Sequence, residues 1–445
     1  MFDREAAVAW YRRNRRQSEA LFDLLAESSY YSRPIALRHP IVFYEGHLPT
    51  FSFNTLVKKA LGGSGIDARL EALFARGIDP HEATGGGALD PRAGWPGRDA
   101  VRAFADEADA RVIDALEHAD LDRPGDPLLD RSEAVFTILE HEAMHHETLL
   151  YMWQRLPFAE KRRPEAYRPR TEGAPPASEG IEVPAGSASL GVNRNDIPFG
   201  WDNEFPARCV NVPAFRIDRH DVTNAQFLEF VTAGGYAAEE WWAPGDWAWL
   251  KTEGITHPSF WELLDGAWYW HGMFDLLPLP MSWPVYVSHA EASAYARWRG
   301  ARLPTEDEFQ RAAFGSSDGG SGEARHYPWG SAAPSTVRGV FDFSSWDPEP
   351  AGSHPSGASA WGVEDLVGNG WEWTSTPFGP FPGFRQMASY PEYSADFFDG
   401  EHMVMKGAST ATAAALLRPT FRNWFRARYP YVYATFRCVT NSGRD

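Results

Sequence analysis

The stretch that decides how the first part of this chain folds is LEHEAMHHETLLYMW, residues 139–153. It lies inside a longer segment, 130–156, whose apolar residues recur at helical spacing. His141 and His145 are four residues apart, so on a helix their side chains share one face, with Cβ atoms about 5 to 6 Å apart. That spacing suits two ligands of one metal ion. His146 points away from this face, and we expect it to be structural.

Three further segments of the N-terminal part show the same helical periodicity, at 5–27, 53–61 and 97–119. Four helices with a metal or ligand site between them make an ordinary bundle. We therefore predict a four-helix bundle over residues 1–162. A linker rich in proline, glycine and charged residues follows at 163–180.

Residues 181–445 follow a different pattern, in which short β-like runs alternate with long turn-rich stretches. The β-like runs lie at 207–222, 283–288, 402–409 and 432–440. Two segments are convincingly helical, at 223–234 and 288–300. This pattern predicts a compact α+β domain with large loops rich in tryptophan.

Length and charge narrow the class of protein. A chain of 445 residues is too long for one ordinary core, so two or more domains are expected. Its formal charge of -18 repels phosphate backbones and anionic lipids, so we expect neither nucleic acid nor membrane partners. No apolar run reaches membrane-spanning length, and the first residues lack the apolar core of a signal peptide. Two cysteines, Cys209 and Cys438, cannot form a disulfide framework, which fits a reduced cytoplasmic setting.

A third metal ligand is available upstream of the histidine pair. His47 lies in FYEGHLPTFSFNTL, residues 43–56, just before the helix predicted at 53–61. Three neutral imidazoles on one face of a metal leave positions open for substrate and dioxygen. This ligand set suits Fe(II), although imidazole alone would also accept zinc.

The literal pattern HEAMH also matches the zinc-protease signature, in which the glutamate is a general base. A protease needs a third ligand, and Glu165 is at a usable distance. However, Pro157 and Pro164 break the helix first, and Glu165 falls in the linker. The large second half also resembles no protease partner domain. We therefore expect no protease, and no general-base role for Glu142.

The motifs EGHLPTF (45–51) and HEAMHHE (141–147), followed by the loop-rich domain, resemble the non-haem iron sulfoxide synthases of ergothioneine biosynthesis. In that family a DinB-like helical bundle carries three histidines. A C-type-lectin-like domain of the formylglycine-generating-enzyme type follows it. Motifs of the second half match in order, among them LVGNGWEWTSTPFGPFPGF (366–384) and FRNWFRARYPYVYATFRC (421–438). The resemblance implies Fe(II) held by His47, His141 and His145, dioxygen, and Nα-trimethylhistidine (hercynine) joined at imidazole C2 to a chalcogen donor.

Four positions correspond to hercynine contacts of that family. Asn423 and Trp424 match its hercynine-contacting pair, and aromatic faces suit a quaternary ammonium, which cannot donate a hydrogen bond. Met144 stands where HExQH relatives carry glutamine, which alters the polar contacts around the hercynine imidazole. Phe378 stands at the position of a catalytic tyrosine, so this chain lacks that phenol. Other phenols that could replace it are Tyr429, Tyr431 and Tyr433.

The donor positions depart from the family pattern as well. Enzymes that use γ-glutamylcysteine carry an aspartate after the Asn-Trp pair and an arginine four residues later, whereas this chain has Phe425 and Tyr429. Losing both charges would leave those of γ-glutamylcysteine unpaired, at a cost of about several kcal/mol. Aromatic rings suit an uncharged, sugar-like donor. One branch of the family, the selenoneine synthases, couples hercynine to a selenosugar (1-seleno-glucose).

The sequence leaves other interpretations open. One is an ergothioneine- or ovothiol-type sulfoxide synthase that uses a thiol such as cysteine or γ-glutamylcysteine. Another is a non-catalytic binding module, because this fold also hosts lectin-like functions. A formylglycine-generating oxidase is disfavoured, because Cys209 and Cys438 do not have that enzyme's paired arrangement.

Overall fold

The computed structural model describes residues 2–75, 92, 94–316 and 325–442. The chain forms two compact units. The first comprises Met1–Ala166 and the short segment Ala388–Tyr390; the second comprises Tyr167–Met387 and Pro391–Asp445. Within the described ranges, no helix is both long and apolar enough to cross a membrane.

The N-terminal unit is a helical bundle, built mainly from four long helical segments. Its helices are α1 (Arg4–Asp23), α2 (Ile41–Ser52), which continues as a π-helix (Phe53–Ala60), α3 (Ala68–Leu73), α4 (Arg98–His118) and α5 (Glu133–Gln154). Helices α1 and α2 each pack against both α4 and α5. Tyr11, Val112, Leu116 and Ile138 lie in the shared apolar core and are almost fully buried.

The start of the second long helix differs from the prediction. We predicted a helix at 53–61 with His47 just before it, but α2 begins at Ile41, so His47 lies inside the helix. Every residue of α2 is buried. A helix buried on all sides shows no alternation of apolar and polar faces, which removed the signal that periodicity relies on.

The second unit mixes helices and strands, which confirms the α+β class. Its helices are α6 (Asn224–Thr232), α7 (Pro244–Glu253), α8 (His289–Trp298) and α9 (Glu306–Phe314). Its strands are β1 (Gly180–Val183), β2 (Gly186–Leu190), β3 (Arg208–Val212), β4 (Phe215–Asp218), β5 (Trp261–Leu264), β6 (Ala267–His271), β7 (Leu276–Pro278), β8 (Gly370–Pro377), β9 (His402–Ala408), β10 (Asn423–Arg426), β11 (Ala434–Thr435) and β12 (Val439–Asn441).

These strands form small sheets rather than one large one. Their orders are β1-β4-β12, β10-β9-β8-β11, β2-β3 and β5-β6-β7. In the four-stranded sheet, Trp424 of β10 pairs with Val404 and Phe425 pairs with Met403. Successive side chains of a strand point to opposite faces, so Trp424 and Phe425 lie on opposite faces of β10.

Two predictions for this unit need correction. The run at 283–288 is not a strand. Its backbone bonds are divided between two places: Asn224 N donates to Trp283 O and Val285 N to Val222 O, whereas Val287 N donates to Ala434 O of β11. Helices α7 and α9 were not predicted. For α9 a signal was present: Thr305 and Glu308 form a capping box, with the Thr305 side chain accepting from the backbone N–H of Glu308.

Candidate functional site

Three imidazoles meet inside the N-terminal bundle. His47 comes from α2, and His141 and His145 come from adjacent turns of α5. One nitrogen of each ring lies within 4.8 Å of the corresponding atoms of the others. The ring centroids are 5.2 Å apart for His47–His141 and His47–His145, and 4.3 Å for His141–His145. The helix thus brings the spaced pair onto one face, and α2 adds the third ring.

Hydrogen bonds fix two of these rings and leave nitrogens free to bind a metal. His47 Nδ1 donates to the carbonyl of Phe74 at 2.8 Å, and His145 Nδ1 donates to the carbonyl of His141 at 3.0 Å. Among the described residues, His47 Nε2 and both nitrogens of His141 are buried and have no hydrogen-bond partner. Leaving buried polar atoms unpaired is costly. A metal ion bound by one nitrogen of each ring would satisfy His47 Nε2 and one of the two His141 nitrogens, so the residues present fit such an ion.

The surroundings keep the rings uncharged. Burial lowers the pKa of His47 to about 3 and that of His145 to about 4. Burial also holds the pKa of His141 well below its ordinary value, and the neighbouring imidazoles add to the effect. All three rings are therefore neutral near pH 7, which is the form that binds metal ions.

Aromatic rings enclose the cluster. The ring of His141 stacks on that of Phe51, with centroids 3.5 Å apart and an angle of 9° between the ring planes. The ring of His47 stacks on that of Phe43, with centroids 4.9 Å apart and an interplanar angle of 18°. Behind His47, a Cβ atom added to Gly46 would lie 2.6 Å from the ring of Phe74, so glycine is required there for close packing. Phe43 and Phe51 lie four residues on either side of His47 in the sequence, so its aromatic setting was visible there, whereas the packing of Phe74 against Gly46 was not.

Glu142 does not belong to this cluster. Its side chain is fully buried, and Oε1 accepts hydrogen bonds from Arg15 Nη1 at 2.7 Å and Ser18 Oγ at 2.6 Å. His146 Nε2 lies 2.9 Å from the same Ser18 Oγ. Both side chains therefore tie α5 to α1, as expected for structural residues. Glu165, the ligand that a protease would need, is exposed and lies outside the histidine cluster.

The second unit brings two of the predicted hercynine contacts together. The rings of Trp424 and Phe378 stack with centroids 4.2 Å apart and an interplanar angle of 5°. Tyr393 and Phe397 complete an aromatic cluster, with centroids 5.0 Å and 5.7 Å from Trp424. Asn423 Oδ1 accepts from the backbone N–H of Trp424 at 2.9 Å. Met144, the fourth predicted contact, is half-buried on α5 of the bundle.

The predicted donor residues form a separate ring pair. The rings of Phe425 and Tyr429 stack with centroids 5.4 Å apart and an interplanar angle of 15°. Tyr431 packs edge-on against Tyr429, with centroids 5.1 Å apart. Since Phe425 lies on the other face of β10 from Trp424, this pair is not part of the Phe378–Trp424 cluster. Tyr433, one of the candidate phenols, is buried in the core and stacks on Tyr286, so its position is structural.

Comparison with known proteins covers both units. Residues 166–442 match the family model described as a sulfatase-modifying factor enzyme 1-like domain, and residues 11–149 match that of the DinB superfamily. Hercynine oxygenase of Mycolicibacterium smegmatis is 39% identical over 333 residues, covering 73% of this chain and 74% of that protein. Hercynine oxygenase of Mycolicibacterium thermoresistibile is 40% identical over 358 residues, covering 78% of this chain and 75% of that protein. Ergothioneine biosynthesis protein 1 of Schizosaccharomyces pombe is 29% identical over 462 residues, which span 94% of this chain but 54% of that longer protein.

Proposed function

Because this chain belongs to the hercynine oxygenase family, whose members are oxidative enzymes, we propose that it joins hercynine to a selenosugar such as 1-seleno-glucose, using Fe(II) and O₂. The observation that carries the metal part of this proposal is the convergence of three buried, neutral imidazoles. The choice of donor rests on Phe425 and Tyr429. By the resemblance to the family, these residues stand where charged side chains would bind γ-glutamylcysteine.

The proposed reaction balances as an oxidative coupling. The hercynine C2–H bond and the selenol Se–H bond break, and a C–Se bond forms. Dioxygen is reduced by four electrons: one oxygen atom enters the product as a selenoxide, and the other leaves as water with the two hydrogens. Bound Fe(II) supplies the redox chemistry that lets O₂ react with closed-shell organic molecules.

In this proposal His47, His141 and His145 hold the iron and leave positions open on it. Their hydrogen bonds and aromatic neighbours keep the rings oriented and exclude water from the buried side. Asn423, Trp424, Met144 and Phe378 bind hercynine, with the indole face of Trp424 against the trimethylammonium group. Phe425 and Tyr429 contact the sugar ring of the donor.

Shortening Trp424 tests the hercynine assignment. Trp424→Ala should raise the Kd of hercynine by about 10- to 30-fold, since a desolvated cation–π contact contributes about 2 kcal/mol. Titration calorimetry on the anaerobic, metal-loaded protein measures this change. The same substitution should weaken the binding of free histidine, which lacks the three methyl groups, much less. The matched control is Trp268→Ala, which removes a half-buried indole of β6. Equal losses for hercynine and histidine would contradict the assignment.

Restoring the charged pair tests the donor assignment. The double substitution Phe425→Asp and Tyr429→Arg should shift the ratio of kcat/KM for γ-glutamylcysteine over selenosugar upward by at least about 10-fold, because each charged hydrogen bond contributes about 1.5–3 kcal/mol. Tyr429→Phe is the control, since it keeps the stacked ring and adds no charge. Because Tyr429 is buried, circular dichroism is needed to show that the double variant still folds. An unchanged ratio in the folded variant would remove these residues from the donor site.

A thiol donor is the second candidate function, and the names of the relatives favour it. The relatives include hercynine oxygenases and an ergothioneine biosynthesis protein. A direct assay separates the two donors: anaerobically reconstituted iron protein receives hercynine, then air with selenosugar, γ-glutamylcysteine or cysteine in separate vials. Mass spectrometry identifies the products. Turnover with selenosugar is the expected result, and turnover with γ-glutamylcysteine alone would overturn the selenium assignment.

A further inference from the structure

A three-residue segment from late in the chain belongs to the histidine-bearing bundle. Ala388–Tyr390 packs with the N-terminal unit, although the residues on both sides of it belong to the other unit. Ser389 N and Oγ donate to Glu133 Oε1 at 3.3 Å and 3.0 Å, and Ser389 Oγ lies 2.9 Å from Thr137 Oγ1. Lys59 Nζ donates to the Ala388 carbonyl at 2.8 Å. These bonds attach the segment to both α5 and the π-helix.

The segment places a phenol beside the candidate metal ligands. The ring of Tyr390 packs edge-on against Phe51, with centroids 5.1 Å apart, and against His141, with centroids 6.0 Å apart. Its side chain is half-buried. Tyr390 brings a hydroxyl-bearing ring to the histidine cluster from a different part of the chain.

Tyr44 is another phenol whose ring packs against a ring of the cluster. Tyr44 lies 6.2 Å from His145, centroid to centroid, but it is only 1% exposed. A group that hydrogen-bonds an exchangeable small ligand has to reach the space through which that ligand enters. The half-buried Tyr390 meets this requirement better than the enclosed Tyr44.

We propose that the hydroxyl of Tyr390 donates a hydrogen bond to the small anionic ligand that shares the metal with His47, His141 and His145. This inference rests on the proposed metal site and assigns a residue that the resemblance to the family does not supply. Ser389 acts as a positioning residue, because its bonds to Glu133 and Thr137 hold Tyr390 in place.

Azide affinity of the cobalt(II)-substituted protein, followed by visible absorption, tests this role without turnover. A charge-assisted hydrogen bond to azide contributes a factor of about 10 to 100 in affinity. Tyr390→Phe should therefore raise the azide Kd by that factor while cobalt still binds with unchanged affinity. Ser389→Ala should raise the azide Kd in the same direction but less. The matched control, Tyr44→Phe, should leave the azide Kd unchanged.

The other outcomes overturn the inference in distinguishable ways. An unchanged azide Kd in Tyr390→Phe removes this phenol from the site, and a raised Kd in Tyr44→Phe alone assigns the role to the buried phenol. A parallel loss of cobalt affinity in Tyr390→Phe would show a packing role only. If the unsubstituted protein bound no cobalt, the proposed metal site would fail together with this inference.

Discussion

Replacing His141 by alanine is expected to abolish stoichiometric iron binding and, with it, all product formation above background. His141 contributes one of three converging imidazoles, and both of its nitrogens are buried without a hydrogen-bond partner among the described residues. Even the loss of a partner outside the coordination shell commonly costs about 10- to 100-fold in metal affinity or activity. The loss of a ligand should exceed about 100-fold in iron affinity.

Iron content by plasma mass spectrometry and product by liquid chromatography measure this effect. His118→Ala is the matched control, because His118 lies at the exposed end of α4 and should change neither quantity. Circular dichroism should show that His141→Ala stays folded, since the replacement removes an unpaired polar ring from the core. A variant that retains one iron per chain and normal turnover would contradict the three-histidine centre.

Replacing Glu142 by alanine should produce a large loss of stability. The carboxylate is fully buried and pairs with Arg15 at 2.7 Å, which is itself largely buried. Removing one partner leaves the other charge poorly compensated, and such losses are about 3–5 kcal/mol. The remaining bond of Arg15 to Asp109 at 2.9 Å offsets part of this cost. Urea denaturation followed by circular dichroism measures the change in the free energy of unfolding.

Two controls separate this effect from others. Glu117→Ala breaks the exposed Arg12–Glu117 pair and should cost less than about 1 kcal/mol. Glu142→Gln keeps an acceptor for Ser18 and should lose less stability than Glu142→Ala while retaining turnover at low temperature. A folded Glu142→Gln variant without turnover would place this carboxylate in the chemistry, as a protease-like general base would be, and would contradict its structural role.

The histidine pair was predictable from local spacing alone, because two residues four apart on a helix must share a face. The third ligand was not, since its distance from the pair depends on how α2 packs against α5. His47 was a candidate from its place upstream of the pair, and the resemblance to a family implied its role as third ligand. The structure brings the three imidazoles together. Periodicity failed on α2 because burial on every side removes the polar face that marks a helix.

Two other features of the fold depend on long-range contacts. The run at 283–288 has the composition of a strand, but its backbone bonds are divided between residues 222–224 and Ala434 of β11, so no single strand pairs with it along its length. The segment with Ser389 and Tyr390 carries no motif, and its place in the bundle depends on bonds to residues more than 250 positions earlier in the chain. No local pattern encodes such pairings, whereas the ordered family motifs indicated the two-part architecture.

We propose that this chain couples hercynine to an uncharged selenosugar in preference to a charged thiol. A competition experiment tests it most directly: one vial contains the iron-loaded protein, hercynine, air, and equal concentrations of selenosugar and γ-glutamylcysteine. The ratio of the two products, measured by mass spectrometry at low conversion, equals the ratio of the kcat/KM values. We expect the C–Se product to exceed the C–S product by more than about 10-fold. A dominant γ-glutamylcysteine product would contradict the claim.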